Sequence, residues 1–551
     1  MILLDFVRRA SPKDLRQMLL LTSIAGAANA FLVVMVNLVA ELVAEGERPG
    51  IWHWLAFVVA FSLYYLCDNR ALLLSNRVIE GLLRDLRISV AAKLRRTELQ
   101  TLDDLGRGKL YAMVSQETNH LSVAFPLLID CFQQVVLIAV SLIYLGYLSV
   151  PALVFFIVVV VLGIFGYLHI NESFRTTLAE LGQCQARMLD AVADIIDGAK
   201  ELILNSRRND AVFADYQQQS QVAQRLMSSA GEYWVTLVLL SVFMLYCLLG
   251  VVGFVFPIYV PAHSTIVFQL VPTLLFCVIP LTLIVAHSPL FVRADVGLKS
   301  IIALERQLDA APGVDPAVAR EQGKYYQSFR HLSYQNLTFS YRAKSGGPGF
   351  SLAPLSLEVE RGELIFLVGG NGSGKSTALR LLTALYPMDS GQIQVDGVVV
   401  SGEGLAGFRE LFSAIFADFH LFDRLYGLED KDPAEVNRLI QEMGLAGKLR
   451  YVDGRFSELH LSTGQRKRLA LIAALLEDRP IYIFDEWSAE QDFHFRQYFY
   501  TRILPDLKAK GKTVIAVTHD DRFWHVADRV IKLDLGAVEW EKMGKDLEST
   551  S

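Results

Sequence analysis

The sequence predicts two folds in one chain: a helical membrane domain with six spans, then a soluble α/β domain. Three observations predict it. Six apolar runs reach the roughly 20 residues that a helix needs to cross a bilayer. Hydrophobic residues make up 52% of the 551, and nearly all the long apolar runs end before about residue 295. Beyond about residue 325 the pattern turns to that of a soluble α/β domain, in which one glycine-rich turn joins an apolar strand to a helix.

The runs lie at about 19–43, 51–74, 125–148, 150–170, 233–258 and 264–290. Lipid cannot satisfy exposed backbone groups, so these runs must be helices. Charges precede the first run (MILLDFVRRASPKDLRQ), which is too long for a signal-peptide core and lacks a clear cleavage site, so it reads as an uncleaved span. Short links follow spans one, three and five, and long charged links, roughly 75–124 and 171–232, follow spans two and four. Residues 1–18 carry Arg8, Arg9, Lys13 and Arg16, and the long links add Arg84, Arg87, Lys93, Arg95, Arg207, Arg208 and others, whereas the short links offer Arg48 alone. The positive-inside rule therefore places both termini and both long links in the cytoplasm. The helical spacing in those links predicts spans that continue well beyond the bilayer, each pair turning through a short transverse helix near Lys109–Leu121 and Gly198–Asn209.

Net charge is −6 without a Lys/Arg-rich block, which excludes a nucleic-acid footprint. Cys67, Cys131, Cys184, Cys247 and Cys277 are scattered, with no CxxC, and read as free thiols. The stretch "LDAAPGVDPAVAREQG", broken by Pro312 and Pro316, reads as a linker. The expected organisation is thus a membrane domain over 1–307, a linker over 308–329 and a soluble domain over 330–551.

"ELIFLVGGNGSGKSTALRLL" contains G-x-x-x-x-G-K-S at Gly369, Gly374, Lys375 and Ser376. Gly370, Asn371, Gly372, Ser373 and Thr377 complete the loop. Its glycines let backbone N–H groups curl around phosphate oxygens, and the helix start adds the positive end of its dipole. Lys375 would reach the β- and γ-phosphates of ATP, and Ser376 would ligate Mg²⁺. "RPIYIFDEW" ends an apolar strand in Asp485, a candidate Mg²⁺ ligand, and Glu486, a candidate general base toward water.

Between them, LSTGQ (Leu461, Ser462, Thr463, Gly464, Gln465) opens a helix and differs by one residue from the LSGGQ signature of ABC ATPases. "GKTVIAVTHDD" ends a strand in His519, which resembles the switch histidine of these cassettes. Tyr341 lies where such cassettes stack an aromatic ring on adenine. With six spans ahead of them, these motifs resemble the type I ABC exporter fold over the whole chain. The resemblance implies an ATP hydrolase coupled to transport that works as a homodimer, with each signature completing the partner chain's ATP site. It also implies Asp492 as the D-loop aspartate.

A narrower resemblance rests on "FSAIFADFHLFDRLYG", "AKELILN", the DEW of Asp485–Trp487, Gln491–Asp492 and "FRQYFY" at Phe495–Tyr500. These segments resemble the cyclic-peptide exporter family, of the pyoverdine-precursor, syringomycin and microcin J25 exporter type. That implies outward movement of a cyclic or non-ribosomal peptide, such as a peptide siderophore precursor, across the bacterial inner membrane. A lipid or multidrug flippase of the same architecture is the alternative, and a non-pumping ATP-gated sensor a more distant one. One departure from cassettes at large is Ala417, followed by Asp418, where a Q-loop glutamine is usual. Asp418 is then a candidate replacement ligand for Mg²⁺. In the membrane half Asp68, Arg70, Asp130 and Gln134 are candidates for a substrate cavity, because ionisable groups at membrane depth are expensive and tend to face one.

Overall fold

A computed structural model describes residues 6, 11–44, 46–105, 110, 118–255, 264–310, 313–341 and 349–547. The chain forms two compact units. One comprises Met1–Ala92 and Arg107–Gln307, and the other Lys93–Gly106 and Leu308–Ser551.

The first unit is helical. Among the described residues, six helices are long and apolar enough to cross a membrane. They are built from α1 (Pro12–Ala44), α2 (Ile51–Leu94), α4 (Thr118–Leu148), α5 (Val150–Asp197), α7 (Ser206–Gly250) and the pair α8 (Ser264–Ala286) and α9 (Ser288–Ala310), which meet at His287. At 1.5 Å per residue α5 is about 70 Å long, more than twice the ~30 Å hydrocarbon thickness. The outward extension expected from the sequence is therefore present. Trp52, Trp54, Phe61, Leu162 and Phe165 are exposed along α2 and α5. A water-facing surface would not tolerate that apolar area, whereas lipid does.

α5 and α7 pack along much of their length. Gly163 faces Met244 in this contact: a Cβ there would come within 2.2 Å of the thioether Sδ, which would have to shift. Between the two lies α6 (Ala199–Leu204), which starts at Gly198 and ends at Asn205, whose side chain accepts the Arg208 N–H at 3.1 Å. A short helix thus stands where one is expected near Gly198–Asn209. Buried polar groups find partners in the core, as where Asn37 donates to Thr273 Oγ1 at 2.9 Å.

The first transverse helix is expected near Lys109–Leu121, where Lys109 and residues 111–117 lie outside the described residues and Thr118–Leu121 belong to α4. Ahead of that stretch is a short helix, α3, Leu99–Leu105. Between α2 and α3 the Thr97 hydroxyl donates to the Lys93 carbonyl at 2.8 Å.

α3 belongs to the second unit, where its flanks are well anchored. Arg96 pairs with Asp315 at 2.7 Å, Glu98 with Arg409 at 3.8 Å, and Asp103 accepts from Tyr386 Oη at 2.9 Å. The expected linker is partly helical as well: α10 spans Pro316–Tyr326. Asp315 caps it, accepting the Ala317 N–H at 2.9 Å, and Pro316 takes the first helical position, where its missing N–H costs nothing.

The rest of that unit is two sheets with helices. A four-stranded antiparallel sheet has the order β2 (Ser351–Glu360), β1 (His331–Ser340), β4 (Ser390–Val395), β5 (Val398–Val400). A six-stranded sheet runs β12 (Ala537–Met543), β11 (Arg529–Asp534), β3 (Leu364–Val368), β10 (Thr513–Val517), β9 (Ile481–Asp485), β6 (Phe412–Ile415). Only its β11–β12 edge is antiparallel. Two helices, α12 (Gly404–Arg409) and α13 (Pro433–Glu442), flank β6 in the chain, and a short β7–β8 hairpin, Tyr451–Val452 and Arg455–Phe456, stands apart. β3, β9 and β10 are buried throughout, which is why they read as unbroken apolar runs. Parallel sheets of this kind gather functional groups at the carboxyl ends of their strands, and here β3, β9 and β10 end on the glycine loop, Asp485 and His519.

Candidate functional site

The glycine loop leaves β3 and enters α11 (Lys375–Leu382). Gly369 has φ +147°, and a Cβ on it would lie 2.2 Å from the Leu533 carbonyl oxygen, so only glycine fits. Gly374, the residue before α11, has φ +97°. The Lys375 ammonium donates to the Gly369 and Gly370 carbonyls at 3.0 and 2.9 Å, inside the loop's own curl. Desolvation holds its pKa below the ordinary lysine value, against the pull of Glu486 and Asp485. Ser373 Oγ is buried without a hydrogen-bond partner. An orphaned hydroxyl beside curled N–H groups and a cation fits a bound polyphosphate.

Across the loop, Ser376 Oγ donates to Asp485 Oδ1 at 3.4 Å. Asp485 is 3% exposed, and burial pushes its carboxyl above the usual range. Hydrogen bonds from Ser376 and from the Ala417 backbone N–H work in the opposite direction. A hydroxyl and a carboxylate are the hard oxygen donors Mg²⁺ takes, and two protein donors suit an ion that keeps waters and phosphate oxygens for the rest.

Glu486 follows with φ +49°, in the left-handed region. Its Oε1 lies 3.0 Å from His519 Nε2. The two line a cavity of about 350 Å³ together with Thr518, Asp520 and Arg496. Sequence reasoning had placed both at strand ends, and the fold brings them into hydrogen-bond contact.

Tyr341 packs edge-on against Phe339 and Tyr386 at centroid distances of 5.0 and 6.0 Å. Its hydroxyl is 3.4 Å from Thr377 Oγ1. Arg380, which sequence reasoning passed over, donates to both Tyr341 Oη and Tyr386 Oη, at 3.3 and 3.2 Å. The same guanidinium lies 3.7 Å from Asp418, whose side chain is 73% exposed.

Ser462 precedes α14 (Thr463–Glu477) and forms a capping box with Gln465, whose Oε1 accepts the Ser462 N–H at 3.1 Å. Ser462 and Thr463 are exposed, so the helix start presents its N–H groups to solvent. Gly464 O accepts from Gln491 Nε2 at 2.9 Å, and Arg468 pairs with Asp492, which ties the signature to the D-loop. Trp487 of the DEW segment is core: it is 1% exposed and stacks on Phe499 at 4.4 Å.

In the helical unit, Gln134 Nε2 donates to Asp130 Oδ1 at 3.1 Å, Asp68 is half-buried and Arg70 exposed. None of the four lines either of two cavities found there. One, of about 610 Å³, is lined by His120, Gln185, Tyr216, Arg293 and apolar side chains. The other, of about 250 Å³, lies between α5, α7 and α8 and is almost wholly apolar. Both were illegible in the sequence, because their walls combine side chains from separate helices.

Residues 352–489 match the ABC transporter family model. The structure resembles that of a bacterial Atm1-family ABC exporter with ATP bound, with a TM-score of 0.77, 20% identity, and 98% of this chain and 96% of that one covered. ATP-binding protein SyrD of Pseudomonas syringae pv. syringae is 28% identical over 526 residues, 94% of this chain and 92% of its own. The chain has the fold of an ABC exporter. Its cassette is an ABC-type ATP-binding domain, and ATP hydrolysis coupled to transport is its activity. The ATP-dependent lipid A-core flippase of Hahella chejuensis is 30% identical over 254 residues, 43% of each chain.

Proposed function

We propose that this exporter carries a cyclic or non-ribosomal peptide, of the peptide siderophore precursor kind, from cytoplasm to periplasm across the bacterial inner membrane. Two identical chains form the pump. The observation that carries the ATPase part is the convergence of four strand and helix ends in one unit: the Lys375 loop, the Ser376–Asp485 pair, the Glu486–His519 contact and the aromatic Tyr341.

Tyr341 stacks on adenine, and the loop from Gly369 to Thr377 holds the phosphates. Ser376 and Asp485 would hold Mg²⁺, which would supply charge neutralisation to the phosphates. Glu486 accepts the proton of the attacking water, and His519 contacts the γ-phosphate. Leu461–Gln465 of the partner chain close the site from the opposite side. The polarity of Asp68, Arg70, Asp130 and Gln134 at membrane depth supports a role for them along the transport path.

Peptide cargo is supported by the DEW, QD and FRxxFY segments, and by similarity to the SyrD protein over nearly the full length rather than over the cassette alone. ATPase stimulation of the reconstituted dimer by candidate cyclic peptides, with lipids as controls, tests it. A peptide product accumulating inside a deletion strain is the expected cellular result. Unchanged peptide secretion with altered lipid asymmetry would overturn the cargo assignment in favour of a flippase.

Asp418 offers Mg²⁺ a carboxylate if it exchanges Arg380 for the metal. Asp418→Ala is then expected to raise the Mg²⁺ concentration for half-maximal ATPase by about two-fold, the scale of one exposed charge interaction. An unaltered Mg²⁺ dependence assigns the carboxylate to Arg380 alone.

A further inference from the structure

A buried cation behind the strand-end acids takes no part in holding phosphate. Lys467 lies in the second turn of α14 and is 3% exposed. Its Nζ donates to the Glu486 backbone carbonyl at 2.8 Å and pairs with the Glu490 carboxylate at 2.7 Å. Its own carbonyl accepts from Trp487 Nε1 at 2.9 Å. One residue of the signature helix therefore grips the chain at residues 486, 487 and 490, immediately after β9.

The grip falls where the backbone needs it. A non-glycine residue in the left-handed region costs roughly 1–2 kcal/mol and persists only where its surroundings over-determine it. Glu486 is such a residue, and the orientation of its peptide sets where its Cα–Cβ bond points. Besides Lys467, among the described residues its carbonyl accepts only a long 3.3 Å bond from the Ala489 N–H. A buried ammonium is itself expensive unless paired, and Glu490 supplies the opposite charge.

We propose that Lys467 is a positioning residue for ATP hydrolysis: it fixes the Glu486 peptide so that the carboxylate stands at hydrogen-bond distance from His519. The inference rests on the reading of Glu486 as general base. The Lys467–Glu490 pair also makes the signature helix and the base one mechanical piece, so a shift of α14 moves the Glu486 carboxylate with it.

The test uses the full-length dimer in lipid. Lys467→Met keeps the length and apolar stem but removes the donor. kcat is expected to fall about 10- to 100-fold, the scale of a misplaced catalytic group, with KM for ATP within about two-fold of wild type. Lys467→Gln, which retains an N–H donor without the charge, should recover part of kcat.

Because Lys467 acts through Glu486, adding Lys467→Met to Glu486→Gln should change the residual release of radiolabelled phosphate by less than about two-fold. Should the Met variant not assemble, Lys467→Gln combined with Glu486→Gln gives the same cycle. Wild-type kcat in Lys467→Met, equal losses in the Met and Gln variants, or losses that multiply with Glu486→Gln would each overturn the proposal. Full turnover in Glu486→Gln would instead remove the general-base reading itself.

Discussion

Glu486→Gln is expected to cut ATP turnover about 10²–10⁴-fold while ATP binding persists. That range corresponds to about 3–5 kcal/mol of barrier. The amide has the shape of the carboxylate and can still meet His519 across the 3.0 Å contact, but it cannot accept a proton from water. The Glu486 side chain is 35% exposed, so the substitution leaves the core packing untouched and the loss falls on chemistry. Lys375, Ser376 and Asp485 remain in place to hold the nucleotide. ATP should therefore stay trapped and the dimer closed. Phosphate release and ATP retention, measured on the same preparation, check both halves of the expectation. Turnover at the wild-type rate would place the base elsewhere.

The parts of this site that were legible in the sequence are those whose chemistry is contiguous. Gly369–Thr377 carries loop, cation and hydroxyl in one stretch, and Asp485–Glu486 ends a strand whose every residue is apolar until the acids. The spans were legible because a bilayer demands some 20 apolar residues in a row. Their extension beyond the bilayer was legible in the helical spacing of the links, but not where it ends: α5 runs past the apolar limit near residue 170 to Asp197 on a charged, amphipathic surface that carries no hydropathy signal. α10 was hidden for a different reason. Pro316 reads as a break, yet Asp-Pro is also how a helix starts, and only the Asp315 side chain on the Ala317 N–H tells the two apart.

Tertiary partners were the least legible. Lys467 and Glu490 are unremarkable charges in sequence, and only the packing of α14 against the end of β9 joins them. Ala417 shows the limit of side-chain reading. Its missing amide reads as a lost ligand, whereas its backbone, invisible to residue type, acts to lower the pKa of the Asp485 carboxyl.

Ser462→Arg is expected to abolish hydrolysis while ATP binding to the Lys375 loop is largely retained. Within one chain the described contacts of the signature lead to the D-loop, through Gly464 and Gln491, and to its own capping box. Its exposed N–H groups at the start of α14 are therefore expected to meet a second copy's nucleotide. Arginine there removes a cap worth about 1 kcal/mol and fills the space a phosphate would occupy. That stability cost is small beside a complete loss of turnover. A mixed dimer separates the geometries. Pair a Ser462→Arg chain with a Lys375→Ala chain, each inactive as a homodimer. If signature and loop meet across chains, one site in the mixed dimer keeps an intact Lys375 loop and an intact signature, and hydrolysis returns. If they meet within a chain, both sites stay broken and the mixed dimer remains silent.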